Sequence, residues 1–310
     1  MSDFELLENL KTAVENDPTN FQARRELAVL CMDMGYEKVA LNQFNSLSQV
    51  FTEDADIFFN IGICWEKLKN DKMALKAYQK AIELKPNEID YIFNLALVYE
   101  KLGQLEDAKY QFKKAICIDP EDYNSFFCIG CIFVKEGDVQ NAIKCFKKAI
   151  QYNYSDYFAH FYLAQEYKKA GNIELAIDEY NKVLELSPDY SWAYFNLAQI
   201  YYEMGEITLA IRNLETTLAK NKKDIEAYKI LAKIHLQLGN IDIAKEVLLH
   251  GLEALEDNGD IYYALSKCEE KQGNTEMRIE YLKKAIMNAA SLSYNLNTLT
   301  SELKKCQKLV

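Results

Sequence analysis

Apolar and small residues recur along this chain with two periods, a short one near 3.6 residues and a long one of 34. The long period shows first in Pro18, Pro86, Pro120 and Pro188, which are separated by multiples of 34. In a frame that starts at Phe21, eight units run to Leu292 without an insertion or deletion. Position 7 of each unit is Leu or Ile, from Leu27, Ile61, Leu95 and Ile129 to Leu163, Leu197, Leu231 and Leu265. Position 8 is always Ala, Gly or Ser, and a large residue beside a small one signals close helix packing. Position 20 is Ala in seven units, from Ala40 to Ala244, with Arg278 as the exception; position 24 is always apolar, from Phe44 and Tyr78 to Leu282.

Positions 4, 7, 8 and 11 fall on one stripe at 3.6 residues per turn, and positions 20, 24 and 27 fall on another. Between them position 15 is Gly in seven units, where a chain leaving a helix needs a tight or left-handed turn; Lys69 is the departure. Each unit therefore reads as two antiparallel helices. Neither can hide its stripe alone, so units must stack on their neighbours. Residues 3 to 17 place Leu6, Leu10 and Ala13 as a second helix would, and Leu296, Leu299, Thr300 and Leu303 match a lone first helix. The expected division is a capping helix over 1–20, units at 21–54, 55–88, 89–122, 123–156, 157–190, 191–224, 225–258 and 259–292, and a second cap over 293–310.

These columns resemble the tetratricopeptide repeat family, whose signature is a large residue, Leu, a small residue, Tyr, Ala, an aromatic and Pro at fixed offsets. The third unit carries it as Ile92, Leu95, Ala96, Tyr99, Ala108, Phe112, Ala115 and Pro120. The resemblance implies an all-α fold, a right-handed superhelical solenoid of antiparallel helix pairs. It further implies a non-catalytic scaffold or adaptor that holds a protein or peptide ligand, with positions 2, 5, 9 and 12 of the first helices lining a concave groove.

On that face a solvated helix should be polar. Instead Phe59, Phe93, Phe127, Phe161 and Phe195 occupy position 5 in five successive units, with Ile63, Leu97 and Cys131 at position 9 in three of them. Phe158 and Trp192 at position 2 and Tyr202 at position 12 extend the apolar set, which can be read as a groove for an amphipathic helix or apolar peptide. It can also be read as internal support for neighbouring side chains, since an aromatic at position 5 is common in this family. Position 9 then turns polar, as Gln165, Gln199, Lys233 and Lys267. Asp56, Asp90, Glu66 and Glu100 flank the apolar half, and Lys67, Lys101, Lys135 and Lys169 follow at position 13; these charges can be read as orienting a charged peptide or, the reading favoured here, as a solvated rim. The basic residue at position 5 with Asn at position 9 that clamps a ligand carboxylate in some relatives is absent, because Arg25 is paired with Val29 and Lys229 with Lys233.

Composition narrows the alternatives. A net charge of −11 without a basic run opposes binding to nucleic acid or anionic membrane. No apolar stretch of 18 residues marks a membrane span, and the amino terminus lacks a signal-peptide pattern, so a cytoplasmic protein is expected. The eight Cys lie mostly in amphipathic segments and read as reduced packing residues. Cys128 and Cys131 could share a metal, but no second Cys pair or nearby His completes a site. The three His, at 160, 235 and 250, lie in different units, and no glycine-rich phosphate loop is present. No catalytic residue, metal or cofactor is expected. Two further functions stay open: a self-assembling scaffold whose groove is filled by another copy, making a homo-oligomer, and the targeting subunit of an enzyme complex.

Overall fold

The structure, a computed structural model, describes residues 2–308. Among these it is all-helical, with eighteen α-helices, one short 3-10 turn and no strand. The odd members are α1 Asp3–Asn16, α3 Glu37–Val50, α5 Asp71–Leu84, α7 Leu105–Ile118, α9 Val139–Tyr152, α11 Ile173–Leu186, α13 Ile207–Lys220, α15 Ile241–Leu255 and α17 Thr275–Met287. The even members are α2 Phe21–Asp33, α4 Ala55–Lys67, α6 Ile89–Lys101, α8 Tyr123–Glu136, α10 Tyr157–Lys169, α12 Ser191–Met204, α14 Ile225–Gln237, α16 Gly259–Gln272 and α18 Leu296–Cys306. From α2 to α16 the even helices begin 34 residues apart, so the sequence period is a period of helix starts. The outermost residues of the two expected caps, Met1 and Leu309 with Val310, lie outside the described residues. The chain divides into two compact parts, one ending at Ser155 and the other beginning at Asp156.

Side-chain caps set the helix starts. Asn20, Asp54, Asp122, Asp156, Asp224 and Asn258 each stand before an even helix and accept hydrogen bonds from its first backbone N–H groups. At the far end of the even helices, glycines at φ near +75° to +82° turn the chain into the next helix. Lys69 occupies the same corner at φ +58°, the left-handed conformation that costs a side-chain-bearing residue most.

In five of the pairs the two helices meet where a small residue faces a ring, and in the other three the ring's place is taken by Leu214, Leu248 and Leu282. Phe44, Tyr78, Phe112, Phe146 and Tyr180, all at position 24, are fully or almost fully buried. Gly130 lies so close beneath the Phe146 ring that an added Cβ would stand 2.7 Å from it, and Gly62 lies closer still beneath Tyr78. Ala28 and Ala96, the small residues of other pairs, are fully buried. The large-beside-small columns of the sequence are thus the contact line of the pair.

The last pair departs from these columns and compensates with charge. Glu269, 1% exposed, pairs with Lys245 at 2.6 Å. Arg278, in the alanine column, pairs with Glu270 at 2.6 Å and reaches Glu302 of α18 at 3.6 Å. Buried Leu299 and Cys306 seat α18, which packs against α17 as a first helix of a further pair would.

Two substitutions test this packing by thermal or urea denaturation. Gly130→Ala pushes a methyl group into the Phe146 ring and is expected to destabilise the fold by about 1–3 kcal/mol. Lys69→Gly relieves the left-handed backbone and is expected to stabilise it by about 1 kcal/mol.

Candidate functional site

The face at positions 2, 5, 9 and 12 is built from the even helices. In the part ending at Ser155, Phe59 sits between two rings, 5.5 Å from Tyr78 and 4.5 Å from Tyr91, centroid to centroid. Phe93 meets Phe112 at 5.4 Å, and Phe127 meets Phe146 at 5.7 Å. Each of these phenylalanines therefore leans on the position-24 ring of its own helix pair and is half-buried. Ile63, Leu97 and Cys131, one turn further along, are half-buried too. The face is apolar, but part of every ring is already used inside the fold.

The charged residues beside it are tied to one another across successive pairs. Glu66 accepts from the Tyr78 hydroxyl at 2.5 Å and from Lys101 at 2.5 Å. Glu100 accepts from Lys135 at 2.6 Å, and Lys67 donates to the Met32 carbonyl at 3.2 Å. Asp56 accepts from the Tyr91 hydroxyl and from Lys85 at 3.1 Å. Those two donors, Tyr91 foremost, hold the Asp56 carboxyl below its ordinary range against the opposing effect of burial. Columns 12 and 13, read from the sequence as a solvated rim, include a ladder of ion pairs between neighbours.

In the part beginning at Asp156 the exposed aromatic residues of the same face stand at position 2. Phe158 is 43% exposed and Trp192 53% exposed, whereas Phe161 and Phe195 are each only 7% exposed. Tyr202 is half-buried and donates to Gln237 at 2.8 Å. The centre of this region is Tyr190, which the sequence reading passed over. Its ring lies 5.3 Å from Tyr157, 6.0 Å from Phe158 and 5.2 Å from Phe161. Trp192 in turn packs edge-on to Phe195 at 6.2 Å. Tyr190 also stands in the column where six other pairs have an Asn or Asp cap, and its side chain caps nothing. A forgone cap costs about 1 kcal/mol, and the sequence signal was there to read as a ring in a column of caps.

Reactive groups elsewhere are engaged in packing. His160 is fully buried and its Nδ1 lies 2.6 Å from Glu179 Oε2. Burial pushes the Glu179 carboxyl up, but hydrogen bonds from His160 and Lys182 outweigh it and hold the group below the usual carboxylate range. His235 is 9% exposed. Burial drives the Cys128 thiol far above its ordinary value, with Cys131 adding to the rise, which disfavours the thiolate that a metal or an electrophile needs. Among the described residues no group of three or more His, Cys, Asp or Glu is placed to hold a metal ion. No helix among them is long and apolar enough to cross a membrane.

Comparison with known families gives matches to several repeat models. One described as TPR repeat matches residues 164–205. Others described as tetratricopeptide repeat match 55–88, 77–110, 205–268, and both 123–156 and 259–291. No curated protein sequence matches the chain significantly. Among solved structures, the C-terminal part of a TPR repeat-containing protein from Cytophaga hutchinsonii is 20% identical, with a TM-score of 0.68; the match covers 77% of this chain and 98% of that one. YrrB, described as a TPR protein with an unusual peptide-binding site, is 22% identical over 59% of this chain and 95% of its own, with a TM-score of 0.51. MamA is 24% identical over 54% of this chain and 97% of its own, with a TM-score of 0.50. At these identities the likeness is one of fold.

The depressed Glu179 carboxyl sets a pH dependence. A carboxyl held below its unfolded value stabilises the fold fully above that value, near pH 4.3 on the ordinary scale, and the contribution is lost as the pH falls through the folded value. Urea unfolding at pH 7 and pH 3 should therefore show a smaller loss of stability on acidification for Glu179→Gln than for the parent chain.

Proposed function

The chain belongs to the tetratricopeptide repeat family, and on that premise we propose that it is a non-catalytic scaffold that binds a helix or apolar peptide segment of a partner protein. In this reading eight units, 21–54 through 259–292, with a helical cap at each end, present their 2-5-9-12 face as the binding surface. The protein works in the cytoplasm, without a cofactor and without contact to nucleic acid or membrane.

The observation that carries the proposal is the exposure of Phe158 and Trp192. Both stand on this face, at 43% and 53% exposed, and both are backed by rings that fix their orientation. Aromatic side chains already ordered before association lose little entropy on binding. Complete burial of such a side chain is worth roughly 1.5–3 kcal/mol before the cost of association is subtracted. Tyr190, which gives up a helix cap to join this cluster, fits a site kept for recognition and not for stability alone. The half-buried rings of Phe59, Phe93 and Phe127, with Ile63, Leu97 and Cys131, supply a flatter apolar surface, while Phe161, Phe195 and Tyr202 support the exposed pair.

The test follows from the burial pattern, because charges placed at Phe161 or Phe195 would unfold the chain. Phe158→Ala with Trp192→Ala leaves the core intact, so its helical circular dichroism should match the parent. Affinity capture from native lysate should then lose at least one protein with the double variant. Identical captures would defeat the proposal. A parent chain that light scattering shows to be oligomeric, and that the double variant renders monomeric, would assign the face to another copy of the chain.

A further inference from the structure

The pair α14–α15 lacks something that four other pairs possess. In those four, a phenylalanine at position 5 meets a ring at position 24: Phe59 with Tyr78, Phe93 with Phe112, Phe127 with Phe146 and Phe161 with Tyr180, at 5.4–5.7 Å between centroids. In α14–α15 the same positions hold Lys229 and Leu248, so both rings are missing. A cavity of about 340 Å³ opens at this place, between α14 and α16, with Ile230, Leu236, Leu248, Tyr263, Ala264 and Tyr294 in its walls.

One wall comes from outside the repeat. Tyr294, in the segment between α17 and α18, lays its ring 4.7 Å from that of Tyr263. The segment is pinned by Ser293, whose backbone N–H and hydroxyl both donate to Asp260 at 2.7 Å, and by Ser291, which accepts from the Gly259 N–H at 2.8 Å. The cavity mouth carries Lys229, Lys233 and Lys267, with Glu226 beside them. Lys229 is engaged by Glu226 at 2.7 Å and Asp260 at 3.0 Å, and Lys267 by Glu302 at 2.8 Å and Glu270 at 3.2 Å. Lys233 differs. It is exposed, its ammonium lies 5.7 Å from the centre of the Tyr202 ring, and it forms no ion pair among the described residues.

We propose that this cavity is a docking pocket for the aromatic side chain of an acidic peptide segment. A phenylalanine or tyrosine of the partner takes the space that the chain's own rings fill in the other pairs, against the wall formed by the paired rings of Tyr263 and Tyr294. A carboxylate next to it in the peptide pairs with Lys233, the one ammonium at the mouth without a carboxylate among the described residues. The size of the cavity lies within the range of small-ligand sites, and its apolar walls, with the Lys233 ammonium beside them, fit an aromatic side chain next to a carboxylate. The inference rests on the reading of the chain as a binding scaffold and places a second contact apart from Phe158 and Trp192.

The test is fluorescence anisotropy of the full chain with a labelled probe peptide of four glutamates around one central phenylalanine. Saturable binding is expected, weakened at least tenfold when the probe's phenylalanine is replaced by alanine. Leu248→Phe, which restores a ring at position 24, and Lys233→Glu, on the exposed rim, are each expected to weaken binding at least tenfold. If Leu248→Phe melts below the parent, Ala264→Leu fills the cavity from its half-buried wall and is expected to give the same loss. Equal binding of the two probes, or parental binding by the filled and charge-reversed variants, would overturn the pocket. Self-association of the parent chain that Leu248→Phe abolishes would give the cavity to a second copy and overturn the peptide. If the probe fails while Phe158→Ala with Trp192→Ala still loses a captured partner, only the pocket falls; if both fail, the scaffold reading falls with it.

Discussion

The contact on which the rest of this structure depends is the seat of a large apolar side chain at position 24, a ring in five pairs and a leucine in three, over a small residue at position 8. Where that residue is Gly62 or Gly130, the ring lies against the helix backbone itself, and no side chain could be interposed. The ring is thereby fully enclosed, and the two helices of a pair are fixed at one distance and one register. Neighbouring pairs then stack on surfaces whose shape is already determined, which is how a repeat protein obtains order without a single central core.

The same ring decides what the face at positions 2, 5, 9 and 12 can offer. Phenylalanine at position 5 reaches the buried ring from the open side of the first helix, so it belongs partly to the fold and partly to the surface. Where the outer contact is denser, as at Phe161 beneath Tyr190, the residue is buried, and exposure passes outward to Phe158. Where the inner ring and the phenylalanine are both absent, as at Leu248 and Lys229, space is left. Recognition on this chain is thus a matter of how completely each pair satisfies its own aromatic column.

Much of this was legible in the sequence. The glycine corners, the alanine column and the large-beside-small columns gave the helix pairs directly, because each has one steric cause. The apolar set on the first helices was legible as well, but not its division between packing and exposure. Phe127 and Phe161 stand in the same column, yet one is half-buried and the other, with the Tyr190 ring 5.2 Å away, is buried. The pairing of Glu66 with Lys101 and of Glu100 with Lys135 could have been inferred from two adjacent columns of opposite charge 35 residues apart. Tyr294 falls at position 2 of the frame that Leu296, Leu299 and Leu303 continue, but its contact with Tyr263 could not be inferred, because the chain before α18 is not helical there as it is in the other units.

The account rests on the claim that ordered but uncovered rings on this face are what a partner covers. Trp192 reports on it directly, since Trp65 is the only other tryptophan. In a Trp65→Phe background, acrylamide quenching of Trp192 fluorescence should be efficient in the free chain and sharply reduced when the partner is bound. Quenching that is unchanged by a bound partner would show that recognition takes place elsewhere and would contradict the account.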